Sequence, residues 1–227
     1  MTKKTFYAEL AYLVGTVLLA LGTALMTVAD FGISMVVAPA YILHVKISEL
    51  LPFFSFGMAE YTLQAVLLII MIIAVRRFKI SYLFSFFTAV IYGVLLDIFL
   101  FTLSFIPTPL YIRIIFYAIG FFTVAYSVAL LFKTYISPEV YELLVKEISD
   151  KYHFALHRFK TAYDISSLIV SIVLSFTFFG FGVFVGISWG TLLAALFNGT
   201  TIRFFEKLLD KHFIFKDGMK LRCLFEK

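Results

Sequence analysis

Six long apolar runs, separated by short polar segments, dominate the pattern of the chain. A helix that crosses the hydrocarbon core of a bilayer needs roughly 20 predominantly apolar residues. Each run reaches that length. The pattern therefore predicts an all-α polytopic membrane protein with six transmembrane helices, at residues 6–29, 56–75, 81–105, 111–132, 159–180 and 185–205.

Composition supports a membrane protein. Hydrophobic residues make up 62% of the chain and charged residues 15%, and the mean hydropathy is +1.01. A soluble domain of this size could not bury so much apolar surface. Lys3 and Lys4 precede the first run as they would in a secretory signal, but the apolar stretch is longer than a signal requires, so we predict a retained helix.

The 19 lysines and arginines are distributed unevenly between the predicted loops. If both termini are cytoplasmic, all except Lys46 and Arg113 fall on the cytoplasmic side, in agreement with the positive-inside rule. This orientation predicts that the turn at 76–79 and the segment at 134–158 are cytoplasmic. The formal charge of +5 then follows from topology. We expect a basic cytoplasmic tail at 207–227 to face anionic lipid, and we predict no nucleic-acid binding.

The second three runs resemble a degenerate copy of the first three, at offsets of 103 to 106 residues. Chance similarity between apolar helices is the alternative. A repeat of three spans begins and ends on opposite sides of the membrane. Two such repeats in tandem therefore have inverted topology, as in many transporters. The interpretation predicts repeats at 1–105 and 106–206. The matching positions are Ile33-Ser34 with Ile136-Ser137, Ala59-Glu60-Tyr61 with Ala162-Tyr163-Asp164, and Ser85 through Gly93 with Thr191 through Gly199.

Two short amphipathic segments, at 37–50 and 139–150, occupy corresponding positions in the two predicted repeats. Both are too short and too polar to span a bilayer. One interpretation is a pair of helices that lie on opposite membrane surfaces. The other is a pair of re-entrant or gating segments, which are tolerated at depth only where protein or water satisfies their backbone.

Several segments resemble the YczE/YyaS/YitT-type family of bacterial integral membrane proteins, in a branch without known function. The resemblance covers nearly the whole chain and implies a multispan protein of the bacterial cytoplasmic membrane, for which transport is often supposed. Met35-Val36-Val37 replaces the Pro-Trp-Asp sequence common in the wider family, so no role of that acid is transferred. The segments are Ala29 through Tyr41, Phe56 through Tyr61 with Gln64, and Gly186 through Thr191 with Asn198-Gly199.

Polar residues inside the spans are the candidate site, because a charge at the centre of a membrane helix costs about 2.5–3.5 kcal/mol on insertion scales. Glu60 and Asp164 lie at mirrored positions, which predicts two half-sites or gates of an alternating-access carrier, one in each leaflet. The alternatives are that each carboxylate lies in the headgroup layer or caps a neighbouring helix. Asp97 lies deeper and needs a partner: Tyr92, a polar residue of the facing repeat, or a bound cation or proton. The candidate substrate- or ion-binding residues are Glu60, Gln64, Asp97, Asp164, Ser167 and Asn198.

Familiar catalytic motifs are absent from the sequence. The single cysteine, Cys223, cannot form a disulfide or a cysteine metal site within the chain, and the histidines fall outside the spans. We therefore predict no enzyme activity, no catalytic residues, no cofactor and no metal site. The predicted function is that of a small-solute transporter, coupled to protons or cations. The alternatives are a non-transporting accessory or scaffold protein, or the substrate-capture subunit of a multi-component transporter. A homo-oligomer or a membrane partner protein is left open.

Overall fold

A computed structural model describes residues 4–154 and 156–219. It is 74% helix, with eight helices in the described residues. Residues 220–227 of the predicted tail, with Cys223, lie outside the described residues. In chain order the elements are β1 (Lys4–Tyr7), α1 (Ala8–Ala29), α2 (Ala38–Ser48), α3 (Phe56–Val75), α4 (Ile80–Leu103), α5 (Leu110–Leu131), α6 (Val140–Tyr152), α7 (Leu156–Phe179), α8 (Trp189–His212) and β2 (Phe213–Lys216).

Five of the described helices are long and apolar enough to cross a membrane: α1, α3, α4, α5 and the part of α7 at Arg158–Phe179. These five coincide with predicted spans. The predicted sixth span forms α8 but is not among the five. Its apolar stretch is interrupted by the polar residues 198–201 and by charged residues from Arg203 onward. The two predicted amphipathic segments form the short helices α2 and α6.

Local signals in the sequence set several helix ends. Ser55 caps α3 by accepting the backbone N–H of Met58 at 3.1 Å. Asp30 and Arg76 end α1 and α3 in the left-handed conformation, each with φ of 54°. Pro109 precedes α5, where its missing N–H costs no helical hydrogen bond.

The centre of the molecule is an antiparallel contact between α1 and α5, built on glycine. A Cβ atom at Gly22 would lie 2.8 Å from Val124 and 3.0 Å from the carbonyl oxygen of Gly120, while one at Gly15 would lie 3.0 Å from Leu131. Partner numbers rise along α5 as they fall along α1, so the helices run in opposite directions. Glycine allows the two backbones to approach closely, and any larger residue would separate them.

Most of the remaining helix contacts have an equivalent contact when α1–α4 are matched in order with α5–α8. Helix α4 packs on α1 as α8 packs on α5, and α2 packs on α7 as α6 packs on α3. The α1–α5 contact itself has this property, because Gly15, Gly22 and Met26 correspond to Gly120, Ser127 and Leu131, each 105 positions later. Two pairs depart from the pattern in the described residues: α3 packs extensively on α4 and α4 contacts α6, whereas neither α7 with α8 nor α8 with α2 makes a comparable contact.

Helix α6 runs alongside the second half of α3. Its first N–H, from Val140, donates to Gln64 Oε1 at 3.0 Å, and Lys151 near its last turn donates to the carbonyl oxygens of Ala74 and Val75 at 2.7 and 2.8 Å. Between these ends, the buried side chains of Leu68 and Met71 on α3 form one apolar cluster with the apolar residues of α6. Helix α6 thus contacts α3 along its length in this conformation.

A two-stranded parallel sheet ties the described ends of the chain together, with Lys4 of β1 opposite Phe213 of β2. Glu9, just after β1, accepts hydrogen bonds from the backbone N–H groups of Gly218 and Met219 and from the Tyr135 hydroxyl. The sequence analysis did not predict this sheet, since each strand has only four residues.

Candidate functional site

Helix α3 presents two buried polar side chains to α6. Glu60 and Gln64 lie one turn apart and therefore share a face of the helix. Both are fully buried, with 0% exposed surface. Toward the C-terminal end, the same face continues with apolar side chains, so these polar residues form a confined patch at the start of the α3–α6 contact.

The segment that leads into α6 supplies the second half of the cluster. Glu139 and Tyr141 are 5% and 3% exposed. Helix α4 holds this segment in place, because Ser85 donates to the Pro138 carbonyl oxygen and Thr88 donates to that of Ser137 at 3.3 Å. Side chains from α4 thus satisfy carbonyl groups that precede the helix, and Glu139 is directed toward α3.

One amide connects the two carboxylates. Gln64 accepts the Val140 N–H on Oε1, and its Nε2 group donates to Glu139 Oε2 at 3.3 Å and to Glu60 Oε2 at 3.5 Å. The opposite amide orientation would set Nε2 against an N–H donor and Oε1 against two acceptors, so the network determines the orientation. Tyr141 donates a further hydrogen bond to Glu60 Oε2 at 2.9 Å.

The cluster lacks a balancing cation. Within the described residues, no lysine or arginine forms an ion pair with Glu60 or Glu139, and Oε1 of each carboxyl has no hydrogen-bond partner. Two buried charges without a counter-ion are costly. Glu139 lies outside the candidate spans, and burial, followed by the charges of Glu60 and Glu142, raises the pKa of its carboxyl well above the ordinary range. The cluster can therefore take up a proton or a small cation.

Hydroxyl groups extend this polar region toward α1. Tyr92 on α4 donates to Thr23 Oγ1 on α1 at 3.1 Å, and the hydroxyl groups of Tyr12 and Thr88 are 2.6 Å apart. Both Glu60 and Glu139 act electrostatically on Tyr92, so it borders the cluster. Side chains from α1, α3, α4 and the start of α6 thus meet in one buried region.

Asp97 has a different position and partners. Ser55 Oγ donates to Asp97 Oδ2 at 2.5 Å, and the Gly57 N–H donates to Oδ1 at 2.8 Å. Asp97 on α4 thus caps the N-terminus of α3, where a carboxylate is favoured by the free N–H groups and the helix dipole. Its partners are neither Tyr92 nor a residue of the other repeat. Within the described residues, no hydrogen bond joins Asp97 to the Glu60 cluster.

Asp164 belongs to an ion-paired group on the other side of α6. Its carboxylate lies 3.2 Å from Lys160 Nζ, which also lies 3.1 Å from the carboxylate of Glu142. Glu60 and Asp164 thus sit on the two helices, α3 and α7, that flank α6. Ser167 lies one turn further along α7.

Asn198 is not brought to either group. It lies on α8, which packs on α5 and β2, and its Oδ1 atom is buried without a hydrogen-bond partner in the described residues. The structure therefore joins Glu60 and Gln64 in one cluster and separates them from Asp97, Asp164, Ser167 and Asn198.

Residues 6–207 match the model of a family of unknown function, DUF6198. The chain belongs to this family. No curated protein and no solved structure matches the chain at a significant level. Membership of DUF6198 leaves the resemblance to YczE/YyaS/YitT-type proteins as a prediction.

In this DUF6198 member, the sequence analysis missed Glu139 and Tyr141 as candidate site residues. It treated Glu139 as part of an amphipathic segment with a polar first turn. One signal was present: the residues that follow Glu139 are mostly apolar, and Val140, Leu143 and Leu144 are all buried. A surface helix would leave part of this side exposed. An acid directly before a run of apolar residues at the start of a short helix is the pattern that identifies such a residue.

Proposed function

We propose that the protein is a transporter of a small solute, built from two inverted repeats, α1–α4 and α5–α8, with α8 as the sixth span. The exchange of contacts between the two halves supports a twofold relation. Helices α1 and α5 occupy equivalent positions and run antiparallel, as the glycine contacts indicate. Equivalent helices of parallel repeats would run in the same direction, so this arrangement favours an axis in the membrane plane.

The second part of the proposal is that α6 is a re-entrant half-helix. It begins beside Gln64, eight residues after Phe56, which corresponds to about 12 Å along α3 at 1.5 Å per residue. It ends where Lys151 reaches the last carbonyl groups of α3. The chain then enters to mid-span and returns to the side from which it came. Backbone groups at that depth need protein partners, which Ser85, Thr88 and Gln64 supply.

One observation carries the proposal: two buried carboxyl groups meet the N-terminus of α6 beside the middle of α3. Transporters commonly bind substrates and coupling ions at such interrupted helices. The acids and the amide suit a cation, an amine or a polar neutral solute. Glu60 and Gln64 have no exposed surface, so the described conformation is closed, and transport requires α6 to move relative to α3.

The proposed setting is the cytoplasmic membrane of a bacterium, with both termini and α6 on the cytoplasmic side. The basic turn at 76–79 and the ion pair between Lys79 and Glu147 of α6, at 2.9 Å, then lie at the same surface. This agrees with the distribution of lysine and arginine along the chain.

A non-transporting accessory protein or a substrate-capture subunit is the second candidate. It is favoured by the missing contact between α7 and α8. Helix α8 packs on one long helix, whereas α4 packs on two. Leu193, Leu196 and Phe197 on α8 are about half exposed or more. That face has room for a helix of a partner protein.

Transport is tested with purified protein in liposomes that contain a pH-sensitive dye. The test solutes are small amines, other organic cations and neutral polar compounds. We expect at least one solute to cause a proton flux or a charge movement. Glu60→Gln should abolish it. Glu49→Gln, at an exposed carboxylate paired with Lys46, should not. Folded wild-type protein that responds to no solute would favour the accessory function.

A further inference from the structure

We propose that Glu60 and Glu139 form a coupled proton-binding pair, bridged by Gln64, and that loss of its proton loosens the contact between α6 and α3. This deepens the proposed function by naming the proton as the coupling ion. It rests on that function only for the coupling, because proton binding by the pair can be measured without any solute.

Within the described part of the chain, the hydrogen bonds of the pair reach only one oxygen of each carboxyl group. Gln64 has two N–H donors, which go to Oε2 of the two carboxyls, and Tyr141 gives a third donor to Glu60 Oε2. Each Oε1 atom is buried and has no hydrogen-bond partner among the described residues. Every available donor thus serves one oxygen of each carboxyl, and the other oxygen is the position that a proton would occupy.

The charged and titratable groups around the pair come from α1, α4, α6 and α7. Lys160 on α7 is the cation that acts on Glu139, but its ammonium group contacts Glu142 and Asp164 instead. It therefore cannot neutralise the pair by contact. The titratable and charged groups that act on the pair are Tyr12 on α1, Tyr92 on α4, Tyr141 and Glu142 on α6, and Lys160 and Tyr163 on α7. Asp164 lies beyond them, against Lys160.

Glu60 and Glu139 carry like charges when both are ionised. Two carboxylates in one buried site oppose each other's ionisation, so the protons leave in two steps that belong to the pair. Gln64 and Tyr141 stabilise the first negative charge. The second charge has no further donor, and it places repulsion directly between α3 and the start of α6.

A proton fits this site better than a metal ion. The described residues contain no group of three or more histidine, cysteine, aspartate or glutamate side chains that could hold a metal. The amide oxygen of Gln64 is occupied by the Val140 N–H. Calcium and magnesium need six or more oxygen ligands, or several retained waters, whereas this buried pair offers four carboxyl oxygens and the Tyr141 hydroxyl.

The test is an infrared titration of the protein in lipid nanodiscs, from mildly acidic to alkaline pH, without solute. We expect the absorption of protonated buried carboxyl groups to disappear as the pH rises. Glu60→Gln and Glu139→Gln should each leave a single titration step. That step should lie at lower pH than the upper step of the wild-type protein, because the like charge is gone. Glu49→Gln should leave the titration unchanged.

Three outcomes would overturn the proposal. The first is the absence of protonated carboxyl absorption across the titration. The second is that one single variant keeps the upper wild-type step at its pH and the other keeps the lower step at its pH, which would mean that the acids are independent. The third is a titration that moves to lower pH when sodium or calcium chloride replaces choline chloride, which would identify a cation site.

A second measurement needs no variant and so does not depend on variant folding. Dicyclohexylcarbodiimide, a hydrophobic reagent, forms an adduct by addition of a protonated carboxyl group, and mass spectrometry locates the adduct. We expect labelling at Glu60 or Glu139 that declines several-fold toward alkaline pH, and none at Glu49. Labelling at neither acid would contradict the proposal. A pair that titrates in a protein that moves no solute would leave this inference standing and reject transport.

Discussion

The α3–α6 and α2–α7 contacts are equivalent in the exchange of the two halves, yet their chemistry is opposite. Glu60, Gln64 and Glu139 are buried where α3 meets the start of α6. At the other contact, the start of α2 brings Ala38, Ala40 and Ile42 into an apolar cluster with α7. One backbone arrangement thus holds a titratable group in one half and an apolar contact in the other. We infer that the first contact responds to protons and that the second is a fixed support.

The largest effect should come from the α1–α5 contact, on which both halves depend. Gly22→Leu would force the helices apart, since even a Cβ atom lies 2.8 Å from Val124. We expect a loss of stability of about 3 kcal/mol or more, at the upper end of overpacking costs. Thermal unfolding in detergent, followed by size-exclusion chromatography, measures it. Gly199→Leu is the matched control, because nothing lies within 4 Å of its Cβ position. Equal losses in the two variants would refute this packing.

The next effect concerns the polar contact alone. Gln64→Leu removes both donors that bridge the carboxyls and leaves the Val140 N–H without its acceptor. We expect a loss of about 2–4 kcal/mol at neutral pH, as for buried charged hydrogen bonds. The loss should be smaller at acidic pH, where both carboxyls are neutral. A cost that does not vary with pH would contradict the assignment of Gln64 as the bridge.

The pH dependence of stability distinguishes the two contacts. The pKa of Glu139 is raised in the fold, so its contribution to stability is present below its ordinary pKa and is lost as the pH rises through the raised value. The wild-type melting temperature should therefore fall toward alkaline pH. Glu139→Gln should flatten this decline. A wild-type melting temperature that rises with pH over the same range would show that the sign is wrong.

The apolar contact should give a smaller effect without a pH component. Ile42→Val removes one buried methylene group from the α2–α7 cluster, where Ile42 is 0% exposed. We expect a cost of about 0.5–1.5 kcal/mol at every pH. The variant should keep the wild-type slope of melting temperature against pH. A changed slope would mean that the two contacts are not chemically distinct.

The smallest effect should come from Asp97. Asp97→Asn keeps an acceptor for the N-terminus of α3, so we expect a cost of about 1 kcal/mol or less. The titration of the Glu60–Glu139 pair should not move, because Asp97 bonds to Ser55 and Gly57. A shift of that titration would return Asp97 to the candidate site.

The sequence predicted the parts of the molecule that depend on local pattern. Apolar runs of about 20 residues have the length of a bilayer span, and five of them are candidate spans. Glu60 and Gln64 are four residues apart, a spacing that places two side chains on one face of a helix. The contact of Glu139 with Gln64 could not be predicted, because it depends on how the short helix α6 folds back on α3. The partners of Asp97 depend likewise on the close approach of Gly57 to Gly93.

The central claim is that deprotonation moves α6 relative to α3 and leaves α2 fixed on α7. Pulsed electron paramagnetic resonance measures this with spin-label pairs at Ile70 and Lys146 for the first contact and at Glu49 and Val173 for the second, after replacement of the native cysteine. Between acidic and alkaline pH, the account predicts a longer and broader distance distribution for the first pair and no change for the second. Unchanged distances in the first pair, or equal changes in both, would contradict it.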